Sequence, residues 1–297
     1  MGSRSPARPQ PRKAPGEPPP TVSVRWLLTA LALALAAAAL CGYAALGLLF
    51  WQGQWQLLFH PSRTVVATPA GAGVRYQDIR FDVTDTGQPQ LDGWLIPADP
   101  GSKYVTDTVL YLHGGRGSLS NTVSALGVLH SLGINVFAFD YRGFGRSSGA
   151  HPTEGRASED SIAAFTWLTD IRHIPPRRII VDGQGVGVVF AARVAARFAP
   201  AGAVMEDPSP SARQIFAGDA RARILPLWLL QNERLDPAAD LAGDHAPLLF
   251  IDLGGDAART RALFDAASAP KQIFDLRAAA GSAYRATLRR FFDDVLR

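Results

Sequence analysis

The chain has a single cysteine, Cys41, and two methionines among its 297 residues. A lone thiol excludes a disulfide framework. No His or Cys pair stands at ligand spacing, so no metal site is expected. Histidine is also scarce, with six in all and none after His245. No internal repeat is visible. Charge of one sign is missing from most of the chain. Arg4, Arg8, Arg12, Lys13 and Arg25 stand against Glu17 in the first 25 residues, which leaves 25 residues of each sign in positions 26–297. The net charge of +4 therefore belongs to the start of the chain. A nucleic-acid-binding face on the globular part is not indicated, and no nucleic-acid partner is expected.

Residues 1–25 are rich in Pro, Arg and Ser and poor in aliphatic side chains. Such a segment buries too little surface to fold and reads as a disordered basic tail. Trp26 to Trp51 then carries no charged residue and is mostly Leu and Ala. As a helix it spans the hydrocarbon core, with an indole at each end for the two interfaces. Cations crowd its N-terminal flank only. The positive-inside rule places the tail in the cytoplasm and the large domain on the outer, periplasmic or extracellular side. The apolar run exceeds the length usual in a cleaved signal peptide, which favours an uncleaved anchor, although Ala-rich cleavage sites lie within it. Leu40 before Cys41 spoils a lipoprotein-type cleavage site. The expected organisation is a tail at 1–25, a single-pass signal anchor at 26–51 and one domain at 52–297.

From Phe59 onward, short β-rich runs alternate with amphipathic segments. Residues 76–83 and 91–96 read as an antiparallel pair. Further strands are expected at 108–112, 135–139, 178–181, 202–205, 248–253 and 272–276. Helical patterns lie around 120–132, 154–170, 186–198, 260–267 and 282–296. This alternation predicts a mostly parallel sheet of about eight strands covered on both faces. Ligands in such sheets sit beyond the C-terminal ends of the strands.

The chain is most specific at those ends. His113-Gly114-Gly115-Arg116-Gly117 follows the third strand. Asp140-Tyr141-Arg142-Gly143-Phe144-Gly145 follows the fourth, and Gly183-Gln184-Gly185-Val186-Gly187 the fifth. In this order, with Phe59-His60-Pro61, Gly93-Trp94-Leu95-Ile96-Pro97, Glu206-Asp207-Pro208 and Asn232-Glu233-Arg234-Leu235-Asp236, they resemble the α/β-hydrolase superfamily. The likeness covers about residues 55–297 and is nearest to membrane-anchored α/β-hydrolase domain-containing serine hydrolases. It implies an α/β-hydrolase fold with a small lid behind one transmembrane helix.

The resemblance also shows what is missing. The family's Gly-x-Ser-x-Gly turn presents a nucleophilic serine. Here the flanking Gly183 and Gly187 stand, but the centre is Gly185, which has no atom to attack a carbonyl. The family's histidine falls near Gly281, in a stretch without any histidine. Asp256 matches the family's acid and reads either as a vestige or as a solvated loop carboxylate. The backbone N–H groups of Gly115 and Val186 correspond to the oxyanion donors and do not depend on the lost side chains. The expected function is a non-catalytic pseudohydrolase that binds a small acyl or carboxylate ligand, or a protein partner, at the membrane, without a cofactor.

Other readings stand beside this one. An active hydrolase of esters, thioesters or peptides would need a relocated site, for example Ser118, Ser120, Ser147 or Ser148 with His151. Gly183-x-Gly185 before a helix, with Glu206 and Asp207 some twenty residues on, also resembles a dinucleotide-binding unit for NAD or FAD, but its third glycine position holds Val188. His113 reads as a structural histidine, and Asp140 and Arg142 as residues that fix their turn. Trp228 and the run 225–230 read as lid or core.

Overall fold

The computed structural model describes residues 22–83, 90–149, 151–243, 246–276 and 281–296. The chain divides into two compact units at the Leu48–Leu49 boundary, which falls inside the long helix α1, Val24–Gly53. α1 is apolar and 30 residues long. At 1.5 Å per residue it extends about 45 Å, more than the roughly 30 Å of a hydrocarbon core. Residues 1–21 of the expected tail lie outside the described residues.

The unit beginning at Leu49 is built on eight strands. These are β1 (Gln77–Phe81), β2 (Leu91–Ile96), β3 (Tyr104–Leu112), β4 (Ile134–Asp140), β5 (Ile179–Gln184), β6 (Gly202–Glu206), β7 (Leu248–Asp252) and β8 (Lys271–Asp275). Their order across the sheet is β8-β7-β6-β5-β3-β4-β2-β1. Strands β3 to β8 pair in parallel, while β2 is antiparallel to both β1 and β4. The expected strands fall at these places, within a few residues at their ends.

The parallel strands read as near-continuous apolar runs because both faces are covered. Val109, Leu110, Tyr111 and Leu112 of β3 are all fully buried. The covering helices are α3 (Val123–Ser131), α4 (Glu154–Thr166), α5 (Gly187–Phe198), α9 (Ala257–Ala266) and α10 (Gly281–Val295). α5 packs closest because its partners are small. A Cβ on Gly187 would lie 2.1 Å from the Leu112 carbonyl oxygen, and one on Gly183 would lie 2.7 Å from Ala191 Cβ.

Four short helices escaped the sequence reading: α2 (Trp55–Leu58), α6 (Ala212–Ala217), α7 (Leu227–Leu230) and α8 (Ala238–Gly243). Each is at most six residues, too short for a periodic pattern to show. In the 225–230 run, Leu225 is buried but Trp228 is 86% exposed. The run therefore lies on the surface, with one residue reaching the core.

β3 is flanked by β5 on one side and β4 on the other, so the chain reverses its direction of travel across the sheet there. That switch point opens a crevice at the C-terminal strand ends. The loops after β3 and β5 meet in it.

Candidate functional site

The turn between β5 and α5 is the centre of the site. Gly185 has φ +59°, in the left-handed region. Its N–H donates to the Glu206 carbonyl (2.9 Å) and its carbonyl accepts from Ser209 N–H (3.1 Å), so the end of β6 holds the turn. The three glycines differ in kind. Side chains at 183 and 187 would clash with backbone, whereas among the described residues a Cβ at 185 meets only Ser209 Oγ at 3.4 Å and Gly114 Cα at 3.7 Å. Gly185 is thus spatially replaceable; only its backbone angle is strained for other residues.

The loop after β3 forms the facing wall. Residues 116–117 pair in parallel with His60–Pro61, and His60 N–H donates to the Gly115 carbonyl at 2.7 Å. This explains the Phe59-His60-Pro61 fragment: it is the ladder that holds the Gly-rich loop. A Cβ on Gly115 would lie 3.2 Å from Val186 Cγ1, so the two residues expected to carry oxyanion-type amides are neighbours. Val186 is the N-cap residue of α5. Between the walls lies a cavity of about 490 Å³, lined by Leu57, Leu58, His60, Gly115, Gln184, Gly185, Val186, Asp207, Ser209 and Ile215 among others. Burial and the Arg116 charge hold the His60 imidazole below its usual range.

Beneath the turn lies a buried polar cluster that sequence reading did not single out. Tyr284 of α10 donates to Glu206 Oε1 (2.5 Å), and Tyr111 donates to Gln184 Oε1 (3.0 Å). Asp182 is 1% exposed, and neither carboxylate oxygen has a hydrogen-bond partner among the described residues. Burial first, then the Glu206 charge, pushes the Asp182 carboxyl well above its usual range. Burial raises Glu206 to about 7. Alternation along β5 places Asp182 and Gln184 on one face, and an acid inside an apolar strand is the signal that would have found them.

Other expected residues are placed as follows. Asp256 caps α9, accepting from Arg259 N–H at 3.1 Å, and pairs with the Arg259 guanidinium at 3.0 Å. Gly281 opens α10, where among the described residues a Cβ would meet only Arg285 Nη1 at 4.0 Å. The preceding loop, 277–280, and His245 lie outside the described residues. Ser118 and Ser120 share a 2.8 Å hydrogen bond, and Ser147 bonds the Asp140 carbonyl. All three are buried, whereas His151 stacks on Trp55. None of the four serines nor His151 lines the cavity.

His113 is fully buried, with Nδ1 2.7 Å from the Gly114 carbonyl and Nε2 without a hydrogen-bond partner among the described residues. Burial lowers its pKa to about 4, so its 3.6 Å approach to Asp140 is not an ion pair at neutral pH. Asp140 accepts from Leu119 N–H, and Arg142 binds Asp160 of α4 through both its backbone N–H and its guanidinium. Asp140 thus holds the loop after β3, and Arg142 ties its own turn to α4. Ser209 is the functional candidate that the sequence concealed. It directly follows Glu206-Asp207-Pro208, and only the fold brings its hydroxyl to Gly185.

An eight-stranded sheet of this order, with its Gly-rich turn at the switch point, defines the class of protein. The chain belongs to the α/β-hydrolase fold family, which it matches over residues 107–294. It is similar to the uncharacterised protein Rv2307c of Mycobacterium tuberculosis, 30% identical over 226 residues that cover 75% of this chain and 78% of the relative. Human α/β hydrolase domain-containing protein 17B is 32% identical over 128 residues, 43% of each chain. Among solved structures, the Pyrococcus furiosus esterase Pf2001 superposes with a TM-score of 0.62 at 22% identity, covering 80% of this chain and all 100% of the esterase.

Proposed function

We propose that this protein is a membrane-anchored pseudohydrolase that retains the ligand cavity of its family without the hydrolytic reaction. The observation that carries this reading is Gly185 at the centre of an otherwise preserved turn. Gly183 and Gly187 are sterically required there, but Gly185 is not. The space at 185 admits a side chain at the cost of backbone strain at φ +59°, so packing alone does not exclude the serine of the family's turn. Loss of the serine from such a triad costs about 10⁶ in kcat, and removal of the histidine as well leaves little beyond oxyanion-type binding.

The retained geometry supports binding. Gly115 and Val186 bring backbone amides to one side of the cavity, and the N-terminus of α5 favours an anion or a polarised carbonyl. Leu57, Leu58 and Ile215 supply an apolar wall. A small carboxylate or acyl carbonyl compound matches that combination of donors and surface. No acid, base or nucleophile of a conventional triad needs to be present for such a role. In this reading α1 is the anchor and Asp256 a vestige of the acid that now serves as a helix cap.

One observation favours a second reading, an active hydrolase with a relocated nucleophile. Ser209 Oγ lies 3.4 Å from the point where a Cβ at 185 would stand, and His60 lines the same cavity. The purified full chain, treated with a fluorophosphonate probe beside an ester-hydrolysis assay, separates the two. The pseudohydrolase reading expects neither adduct nor turnover in the wild type. A stoichiometric adduct on Ser209 accompanied by turnover would replace it with the second reading.

A further inference from the structure

The unit beginning at Leu49 carries an exposed apolar surface beside the end of α1. Ile224, Trp228 and Leu229 are 60%, 86% and 66% exposed, an unusual cost in water for three large side chains within six residues. The segment that bears them is tied to the helix end. Gln54, only 1% exposed, donates to the Leu230 carbonyl (2.7 Å) and accepts from Asn232 N–H (3.2 Å). Phe50 meets Phe216 edge-on at 5.4 Å, and the Arg221 guanidinium lies 5.3 Å over the Phe50 ring. Residues 216–232 thus wrap residues 50–54. Leu49 and Trp51, exposed on the same last turns, are 63% and 48% accessible.

We propose that Trp228 and Leu229, with Ile224, insert into the lipid interface and hold the domain against the bilayer. The inference rests on reading α1 as a membrane span. Chain continuity then places residues 49–54 where the helix leaves the hydrocarbon core, and the buried Gln54 bonds keep α7 within a few residues of that point. A tryptophan with adjacent leucines suits this depth, since indole favours the interface while the leucine enters the acyl region. A protein partner would need no such link to the helix end, so the lipid surface is the occupant the contacts favour. The consequence reaches the cavity. Leu57 and Leu58 follow Gln54 directly, and Ile215 precedes Phe216, so its apolar wall belongs to the same junction.

The test uses an environment-sensitive fluorophore on single cysteines in the full chain, reconstituted into phosphatidylcholine–phosphatidylglycerol vesicles with or without brominated acyl chains. Three sites are compared: native Cys41, and, in a Cys41→Ala background, Trp228→Cys and Ile171→Cys. Ile171 is 64% exposed and follows α4 at the opposite, N-terminal end of the strands. The proposal expects blue-shifted, bromine-quenched emission at 41 and at 228 and unquenched emission at 171. Quenching at 41 without quenching at 228 overturns the proposal and leaves the anchor standing. No quenching at 41 overturns the anchor and the proposal together. Quenching at 171 as well as 228 points to non-specific adsorption and also overturns it. Should Trp228→Cys disturb the fold, Leu229→Cys is the substitute reporter and carries the same expectations.

Discussion

Gly185 and Gly187 stand two positions apart, yet substitution at them meets different obstacles. A Cβ at 187 would meet the Leu112 carbonyl at 2.1 Å, so Gly187→Ala forces α5 away from the sheet. We expect a loss of about 2–3 kcal/mol in chemical denaturation. At 185 a side chain has room, and Gly185→Ser is expected to fold, with a stability cost of about 1–2 kcal/mol for its left-handed backbone. If the cavity is otherwise intact, Gly185→Ser should acquire fluorophosphonate labelling that the wild type lacks. Gly185→Ser/Gly281→His should label faster, because Tyr284, one turn into α10, already bonds Glu206 beside the turn. Equal labelling of wild type and variants by intact mass would contradict this account.

Glu206 yields a prediction in pH. An unfolded Glu titrates near 4.5, while burial raises the folded group to about 7. The folded state therefore holds the extra proton between these values. Its contribution is fully present below pH 4.5 and is lost as pH rises through about 7. Glu206→Gln keeps an acceptor for Tyr284 and cannot ionise. Its stability should exceed wild type at pH 8 by on the order of 3 kcal/mol and lose that advantage by pH 4.5. Thermal unfolding across this range checks it; a difference independent of pH would show that Glu206 is not held protonated.

At the scale of elements, short pieces do more to shape the site than long ones. The two-residue ladder of His60–Pro61 with 116–117 sets the Gly-rich loop, and α2 and α6 wall the cavity. Gln54 joins α7 to the chain that leaves α1. Gln54→Ala removes its bonds to the partly buried Leu230 carbonyl and to the Asn232 amide. We expect a cost of about 1–3 kcal/mol, with faster proteolysis in residues 218–232 than at α3 or α5. Uniform cleavage would mean that this junction has no separate stability. These short elements were not legible in the sequence. A four-residue helix has no periodicity, and a two-residue strand has no alternation. The long elements were legible because both faces of β3 and β5 are buried and α5 and α10 are amphipathic over several turns.

For the whole molecule, the anchor reading predicts that the full chain stays with membranes after an alkaline carbonate wash. It predicts further that protease applied from the outer side digests the domain but spares an epitope at residue 5. Release into the soluble fraction would instead identify α1 as a cleaved leader. The basic tail and apolar run were readable directly, since hydropathy and flanking charge are sums over local composition. The family was readable too, because its motifs occur in chain order at strand ends. The absence of a serine at 185 and of any histidine after 245 was equally plain, for an absence needs no coordinates.

What the sequence could not determine was proximity. Ser209 lies 24 positions from Gly185 yet sits against it, because β6 is the sheet neighbour of β5 and its end bonds the turn. Asp182 and Glu206 became a buried pair for the same reason. The sequence by itself determined the apolar helix, the strand–helix alternation and the glycine at the centre of the turn, all properties of local order along the chain. The tertiary structure decided which side chains share the cavity, which carboxyls lose their water and which apolar residues remain outside, because burial and pairing depend on neighbours that only the folded sheet supplies.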